Sequence, residues 1–258
     1  VPGVPKFLSS FVARICTYRS TVIAISDAVK NYTIQNSMIA SRIPISVVYY
    51  GINHQDFKLH GFDRAKWRQQ ELNCEPEDFV FGTISRLVPQ KDLQTLINAF
   101  SKISKEVRCK LVIVGDGVQR NELEKLVKSL NLESHVYFLG KRNDIPDLLH
   151  GIDAFALSSK YEGLGLVLLE ALASEVPIIA ARNSAIKEIV NDEVALMFET
   201  SSVPDLEKAM RDLINDPNET SRRVQRGKIR VQQNFGVDSM LNGTEKVYSS
   251  ILERNREQ

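Results

Sequence analysis

From about residue 79 onward, short apolar runs alternate with stretches whose apolar positions recur every three to four residues. The runs at 79–84, 110–114, 136–139, 154–157 and 177–181, with a weaker one at 195–198, are nearly continuous and predict strands buried on both faces. The stretches at 92–103, 120–130, 145–149, 166–173 and 184–190 carry the helical period. Buried strands joined by helical crossovers predict an α/β, Rossmann-like doubly wound parallel sheet, whose ligands gather beyond the carboxyl ends of the strands. The tail changes character, with 205–214, 219–233 and 237–253 reading as three helices without strands. The head carries the strand–helix–strand pattern once, with strands at 21–25 and 46–50 and a helix N-capped by Ser26. Two strands and a helix do not make an independent sheet domain, and 51–61 reads as a linker.

Composition narrows the classes. At 258 residues, 43% hydrophobic and 25% charged, the chain is an ordinary globular one of one large or two small domains. Its 33 Lys and Arg against 32 Asp and Glu leave no basic footprint for nucleic acid. No apolar run is long enough to span a bilayer and no secretory signal is visible. The chain opens on Val1, as a processed or truncated chain would. Cys16, Cys74 and Cys109 are scattered and read as reduced, packed thiols. His54, His60, His135 and His150 lack ligand spacing, so no metal site is expected.

Chemistry-bearing residues fall at the predicted strand ends. After 79–84 comes Ser85-Arg86-Leu87-Val88-Pro89-Gln90-Lys91, an Arg and a Lys five apart in a loop before a helix, able to reach one diphosphate. After 110–114 comes Gly115-Asp116-Gly117, either a tight structural turn or a wall against which a ligand lies; it is not the dinucleotide-binding glycine fingerprint. After 136–139 come Gly140-Lys141-Arg142, whose cations touch a base or phosphate or only solvent. After 154–157 comes Tyr161-Glu162-Gly163-Leu164-Gly165-Leu166-Val167-Leu168-Leu169-Glu170. Its glycines and unpaired first helical amides form an anion-binding arrangement. Glu162 and Glu170, set roughly 12 Å apart by helical rise, suit two separate partners rather than a shared proton.

With these motifs together, the chain resembles the retaining GT-B glycosyltransferases of family 4, specifically their C-terminal donor-binding half (the glycosyl transferases group 1 domain). The likeness runs over about 79–200, from Gly82 to Lys91 through Leu111-Val-Ile-Val-Gly-Asp-Gly117 to Lys187-Glu-Ile-Val190, with Glu162 and Glu170 as its paired glutamates. The resemblance implies a transferase that moves a sugar, with retention, from a nucleoside-diphosphate sugar to a saccharide or lipid-linked acceptor in glycan, lipopolysaccharide or glycolipid synthesis. In it, Arg86, Lys91 and the backbone of Gly163, Leu164 and Gly165 hold the diphosphate. Glu170 binds the ribose, with Gly115, Lys141 and Arg142 on the nucleoside side. Glu162 is the catalytic residue, orienting the sugar or screening its developing positive charge rather than attacking it. No cofactor or metal is implied beyond the nucleotide sugar. One departure is Glu175, where the family has a small residue or glycine.

The resemblance divides the chain into 1–58, the end of an N-terminal acceptor domain; 59–236, the donor domain; and 237–258, a helix crossing back to the head. An acceptor domain missing from so short a chain implies a partner chain supplying it, or the alternative of a non-catalytic donor-binding or interaction subunit. The expected location is cytoplasmic, peripheral at the cytoplasmic membrane face. Lys6, Arg14 and Arg19 among Phe7, Leu8, Phe11 and Val12 fit either an interfacial helix or ordinary packing.

Overall fold

The computed structural model describes residues 20–36, 43–59 and 61–256. The basic and apolar residues of the head from Lys6 to Arg19, with Cys16 and His60, lie outside the described residues.

Six parallel strands form the main sheet: β3 (Phe79–Ile84), β4 (Cys109–Val114), β5 (Val136–Gly140), β6 (Ala154–Leu157), β7 (Ile178–Ala181) and β8 (Leu196–Phe198). They lie in the order β5-β4-β3-β6-β7-β8, every pairing parallel. Nearly every residue of β3, β4, β6 and β7 is buried, as continuous apolar runs require when helices cover both faces. The helices supply matching faces. In α3 (Leu93–Ile103), Leu93, Leu96, Ile97, Phe100 and Ile103 are buried at helical spacing. Phe81, Phe100 and Phe155 are fully buried, each contributing about 1.5–3 kcal/mol of transfer free energy. The remaining crossovers are α4 (Arg120–Ser129), α5 (Ile145–Gly151), α6 (Leu166–Ala173) and α7 (Ser184–Ile189), followed by α8 (Val203–Asn215), α9 (Pro217–Asn234) and α10 (Val237–Arg256).

Strand order fixes where a ligand can sit. The chain steps outward from β3 through β4 to β5, then returns beside β3 as β6 and continues the other way. The loops leaving β3 and β6 therefore diverge, opening a crevice at their carboxyl ends.

The head forms its own two-stranded parallel sheet from β1 (Val22–Ala24) and β2 (Ile45–Val47), with α1 (Asp27–Asn36) between them. Ser26 Oγ accepts from Val29 N at 3.0 Å, the expected N-cap. The stretch 51–61 is not a loose tether. It contains a 3₁₀ turn at His54–Phe57, Ile52 bridges Gly236, and His150 Nε2 meets the Phe57 carbonyl at 2.8 Å.

A further helix, α2 (Arg64–Leu72), is not announced by the hydrophobic pattern. It docks through charge: Arg68 donates to Gly151 O at 2.7 Å and to Asp153 at 2.6 Å, Arg64 reaches the other Asp153 oxygen at 2.6 Å, and Val80 N also donates to Asp153. Cys74 and Cys109 are buried free thiols, and burial with Asp78 nearby pushes Cys109 up to about 12.

Candidate functional site at the β3–β6 crevice

Lys91 ends a 3₁₀ turn, Pro89–Lys91, in the loop after β3. Glu162 lies in the loop after β6, and the two meet across the crevice with Nζ–Oε1 at 2.5 Å. Both side chains are mostly buried, 13% and 8% exposed. Ser159 Oγ donates to the same Oε1 at 2.6 Å, and Asn183 Nδ2 donates to Ser159 O at 2.9 Å, so β7's loop supports the cluster. The two loops are laced together: Lys160 N donates to Gln90 O and Ser158 Oγ donates to Lys91 O, each at 2.8 Å. A half-hidden ion pair so braced places one cation and one carboxylate at the crevice floor without freedom to drift.

After Glu162 the chain passes Gly163 and Gly165 into α6. Gly165 has φ +87°, a left-handed turn that a side chain would strain. Among the described residues, no acceptor takes the backbone N–H of Gly163, Leu164 or Gly165, so these amides are unpaired just ahead of α6. The Leu164 side chain is buried in the core, leaving only its backbone for a ligand. The helix begins at Leu166, so Glu162 stands outside it and Glu170 is little more than one turn in, not two. The separation of the glutamates is therefore not set by helical rise alone.

Glu170 is half-buried and, among the described residues, its carboxylate has no ion pair or hydrogen bond. Burial alone raises its pKa above the ordinary glutamate value. A carboxylate held in that condition has unused capacity for a hydroxyl donor. Arg86 shares the β3 loop with Lys91, is exposed, and makes no ion pair among the described residues.

The remaining expected residues divide. Gly115 has φ +126°, and a Cβ there would stand 1.9 Å from Ser85 O. Its amide donates to Gly140 O at 2.7 Å, and Leu87 N donates to Asp116 O at 3.0 Å. The glycine thus lets the β4 loop close against the Arg86-bearing loop, which accounts for it as a turn beside the crevice. Lys141 is exposed in the β5 loop. Arg142 is drawn elsewhere: it binds Glu71 of α2 at 2.8 Å and Asp144 at 2.6 Å, which hold its pKa above the usual guanidinium value. Its guanidinium ties α2 to the sheet rather than reaching into the crevice.

Sequence reasoning missed the cross-loop contacts of Ser26, Asp92, Ser159 and Asn183, though it read Ser26 as an N-cap. Ser26 Oγ donates to Gly163 O at 2.6 Å, bringing the head onto the glycine loop. Only the Ser158-Ser159 pair directly after a strand carried a readable signal, being polar where the buried run ends.

Comparison with known proteins bears on the family and the fold. The family described as glycosyl transferases group 1 matches residues 63–230. The chain is 28% identical over 232 residues to the N-acetyl-alpha-D-glucosaminyl L-malate synthase of Bacillus anthracis, covering 90% of this chain and 60% of that protein. It is 30% identical over 194 residues to an Escherichia coli UDP-Gal:alpha-D-GlcNAc-diphosphoundecaprenol alpha-1,3-galactosyltransferase, covering 74% and 49%. The chain thus spans about half to 60% of the length of these two relatives. Among solved structures, HepE (Alr3699) of Anabaena in complex with UDP and glucose superposes with a TM-score of 0.83 at 28% identity, over 96% of this chain and 69% of that one. The C-terminal domain of LpcC, a glycosyl transferase group 1 family protein of Francisella tularensis, superposes whole on 72% of this chain, with a TM-score of 0.64 at 27% identity. The sheet is therefore the Rossmann-like C-terminal lobe of a GT-B fold, and the chain belongs to the glycosyl transferases group 1 family.

Proposed function

We propose that the β3–β6 crevice binds a nucleoside-diphosphate sugar and that the protein transfers the sugar, with retention, as a family 4 glycosyltransferase of glycan, lipopolysaccharide or glycolipid synthesis. The observation that carries this is the Lys91–Glu162 pair beside the unpaired amides of Gly163 to Gly165 at the switch point of the sheet. Support comes from relatives named as glycosyltransferases and from HepE, which holds UDP and glucose.

Departure of the nucleoside diphosphate builds negative charge on its leaving oxygen. Lys91, Arg86 and the amides after Glu162 are the groups that answer that charge. Each aimed donor in a water-poor site stabilises it by about 3 kcal/mol, against about 0.3–1 kcal/mol for a helix end. The donors therefore outweigh the dipole of α6. The diphosphate competes with Glu162 for Lys91, and the released carboxylate is then placed to orient the sugar. Glu170 takes the ribose hydroxyls. The reading calls on no cofactor or metal besides the nucleotide sugar.

The acceptor, a saccharide or a lipid-linked one, is bound by a lobe seated on the head, whether the same protein or a partner chain supplies it. The two-stranded head sheet and the exposed Tyr32, Leu241, Tyr248 and Leu252 leave a face for it. On this reading the boundaries are 1–58 for the end of the acceptor lobe, 59–236 for the donor lobe and 237–258 for the returning helix. Among the described residues no helix is long and apolar enough to cross a membrane, and any contact with a cytoplasmic membrane face is peripheral.

Titration calorimetry with UDP, GDP and ADP tests the reading. One of them should bind, and Lys91→Ala or Glu170→Ala should weaken it about tenfold, or about 1.4 kcal/mol. Absence of binding by all three would sink the proposal. Because Lys91→Ala strands a buried carboxylate, Lys91→Met with Glu162→Gln serves as the control that keeps the pair neutral.

A further inference from the structure

Asp92 directly follows Lys91 at the join of the 3₁₀ turn and α3, its N–H donating to Pro89 O at 3.3 Å and its carbonyl accepting from Thr95 N at 3.0 Å. Its backbone is left-handed, φ +51°, a region that Asp enters more readily than most residues other than glycine. Its side chain is nonetheless almost fully buried, 8% exposed. One carboxylate oxygen accepts from Ser201 Oγ at 2.6 Å and the other faces Lys160 Nζ at 3.6 Å. Ser201 is itself left-handed, φ +62°. Two left-handed residues, 109 apart in sequence, thus turn toward each other.

The consequence is geometric. Gln90, Lys91 and Asp92 are each fastened to the β6 loop: Lys160 N to Gln90 O, Ser158 Oγ to Lys91 O, and Lys160 Nζ to Asp92. Asp92 alone among them also reaches the loop after β8, through Ser201. Loops from three strand ends meet at its carboxylate, one residue from the ammonium that the proposed function assigns to the diphosphate.

We propose that Asp92 is a positioning residue: through Ser201 and Lys160 it fixes the turn that aims Lys91 at the bound diphosphate, without touching the ligand itself. This rests on the reading of the crevice as a nucleoside-diphosphate site. It accounts for both left-handed residues, since strain of this kind persists where surrounding contacts over-determine it. It also gives the β8–α8 loop, which lies outside the crevice, a route to affinity.

Asp92→Gly separates the two roles, because glycine adopts the left-handed turn freely while losing the carboxylate. The probe is whichever of UDP, GDP or ADP the unaltered chain binds. Asp92→Gly should bind it about tenfold more weakly, within the range of couplings between contacting residues, while still unfolding in one cooperative transition well above the assay temperature. Asp92→Asn, which tolerates the turn and still accepts from Ser201, should recover part of the affinity. In a Lys91→Ala background, Asp92→Gly should cause no additional loss, because its effect runs through Lys91. Ser201→Gly gives the same test from the other side of the bond should Asp92→Gly fail to fold. Equal affinity in the unaltered and Asp92→Gly chains would overturn the proposal, as would an undiminished loss in the Lys91→Ala background. Failure of the unaltered chain to bind any of the three would instead remove the site reading beneath it.

Discussion

Glu162 and Glu170 belong to one sequence motif, yet the fold treats them oppositely. Glu162 is matched by Lys91 and Ser159, while Glu170 is half-buried with no partner among the described residues, and burial raises its pKa. A raised carboxyl pKa means that the folded chain binds the proton more tightly than the unfolded chain. Its contribution to stability is then fully present below the unfolded value, near 4.3 for glutamate, and is lost as pH rises through the folded value. Glu170→Gln imitates the protonated form at every pH. It should raise the unfolding free energy at neutral pH by up to about 1 kcal/mol, the lower range for an unpaired polar group. The gain should shrink toward nothing near pH 4, while affinity for the nucleoside diphosphate falls. Thermal melts of both chains at several pH values check this. A variant less stable than the parent at neutral pH would mean that Glu170 has a stabilising partner in the apo protein. The spacing of the two glutamates was readable in the sequence. Their contrasting states were not, since Lys91 lies 71 residues from Glu162 and only the sheet order brings them together.

At the scale of elements, what was legible depended on what docks each piece. Strands β3, β4, β6 and β7 bury nearly continuous apolar runs, and α3 and α8 bury stripes at helical spacing, so pattern alone locates them. Helix α2 docks through Arg64 and Arg68 on Asp153, with Trp67 lying where a Cβ on Gly151 would stand, so its docking face reads as polar sequence. The Arg142 pairing was hidden for the same reason: its partner Glu71 sits on that unread helix. The end of α6 offers a test of a departure that the sequence did show. Glu175, where the family has glycine or a small residue, has φ +57° and pairs with Lys228 at 2.7 Å. Left-handed strain costs about 1–2 kcal/mol, while a surface pair contributes about 0–1 kcal/mol and glycine adds chain entropy of about 0.5–1 kcal/mol to the unfolded state. Strain should narrowly win, so Glu175→Gly is expected to gain about 0.5 kcal/mol in urea unfolding without altering nucleotide affinity. A loss of stability would show that the Lys228 pair outweighs the strain.

At the scale of the molecule, the question is what holds the head on the donor lobe when β1 and β2 bury so little by themselves. Polar contacts at the crevice do much of it. Glu188 of α7 accepts from the backbone of Asp27 and Ala28 at 2.8 and 2.7 Å, taking two of the unpaired amides at the start of α1, and Tyr49 donates to it at 2.9 Å. Burial, reinforced by Glu188 and Asp27, drives the Tyr49 phenol well above its usual range, so it remains a donor throughout the physiological range. Beside them Ser26 Oγ holds Gly163 O, and Ile25 and Val29 lie against Gly163. The glycine loop of the donor site is therefore also the floor on which the head rests. Hydrogen bonds to a carboxylate contribute about 1.5–3 kcal/mol each, and a local opening governed by them changes amide exchange accordingly. Glu188→Ala should speed exchange of α1 and β1 by tenfold or more, and that of residues 163–165 to a lesser degree, while β3, β4 and β6 keep their protection. Hydrogen-exchange mass spectrometry resolves these segments. Uniform loss of protection across the sheet would make Glu188 a support of the donor lobe itself, and unchanged exchange in α1 would shift the hold to the apolar seam of Tyr49 on Phe235, whose rings meet edge-on at 5.6 Å. If the head alone loosens, its attachment to the main sheet is a local latch, and on the proposed reading a diphosphate bound at the glycine loop should tighten it.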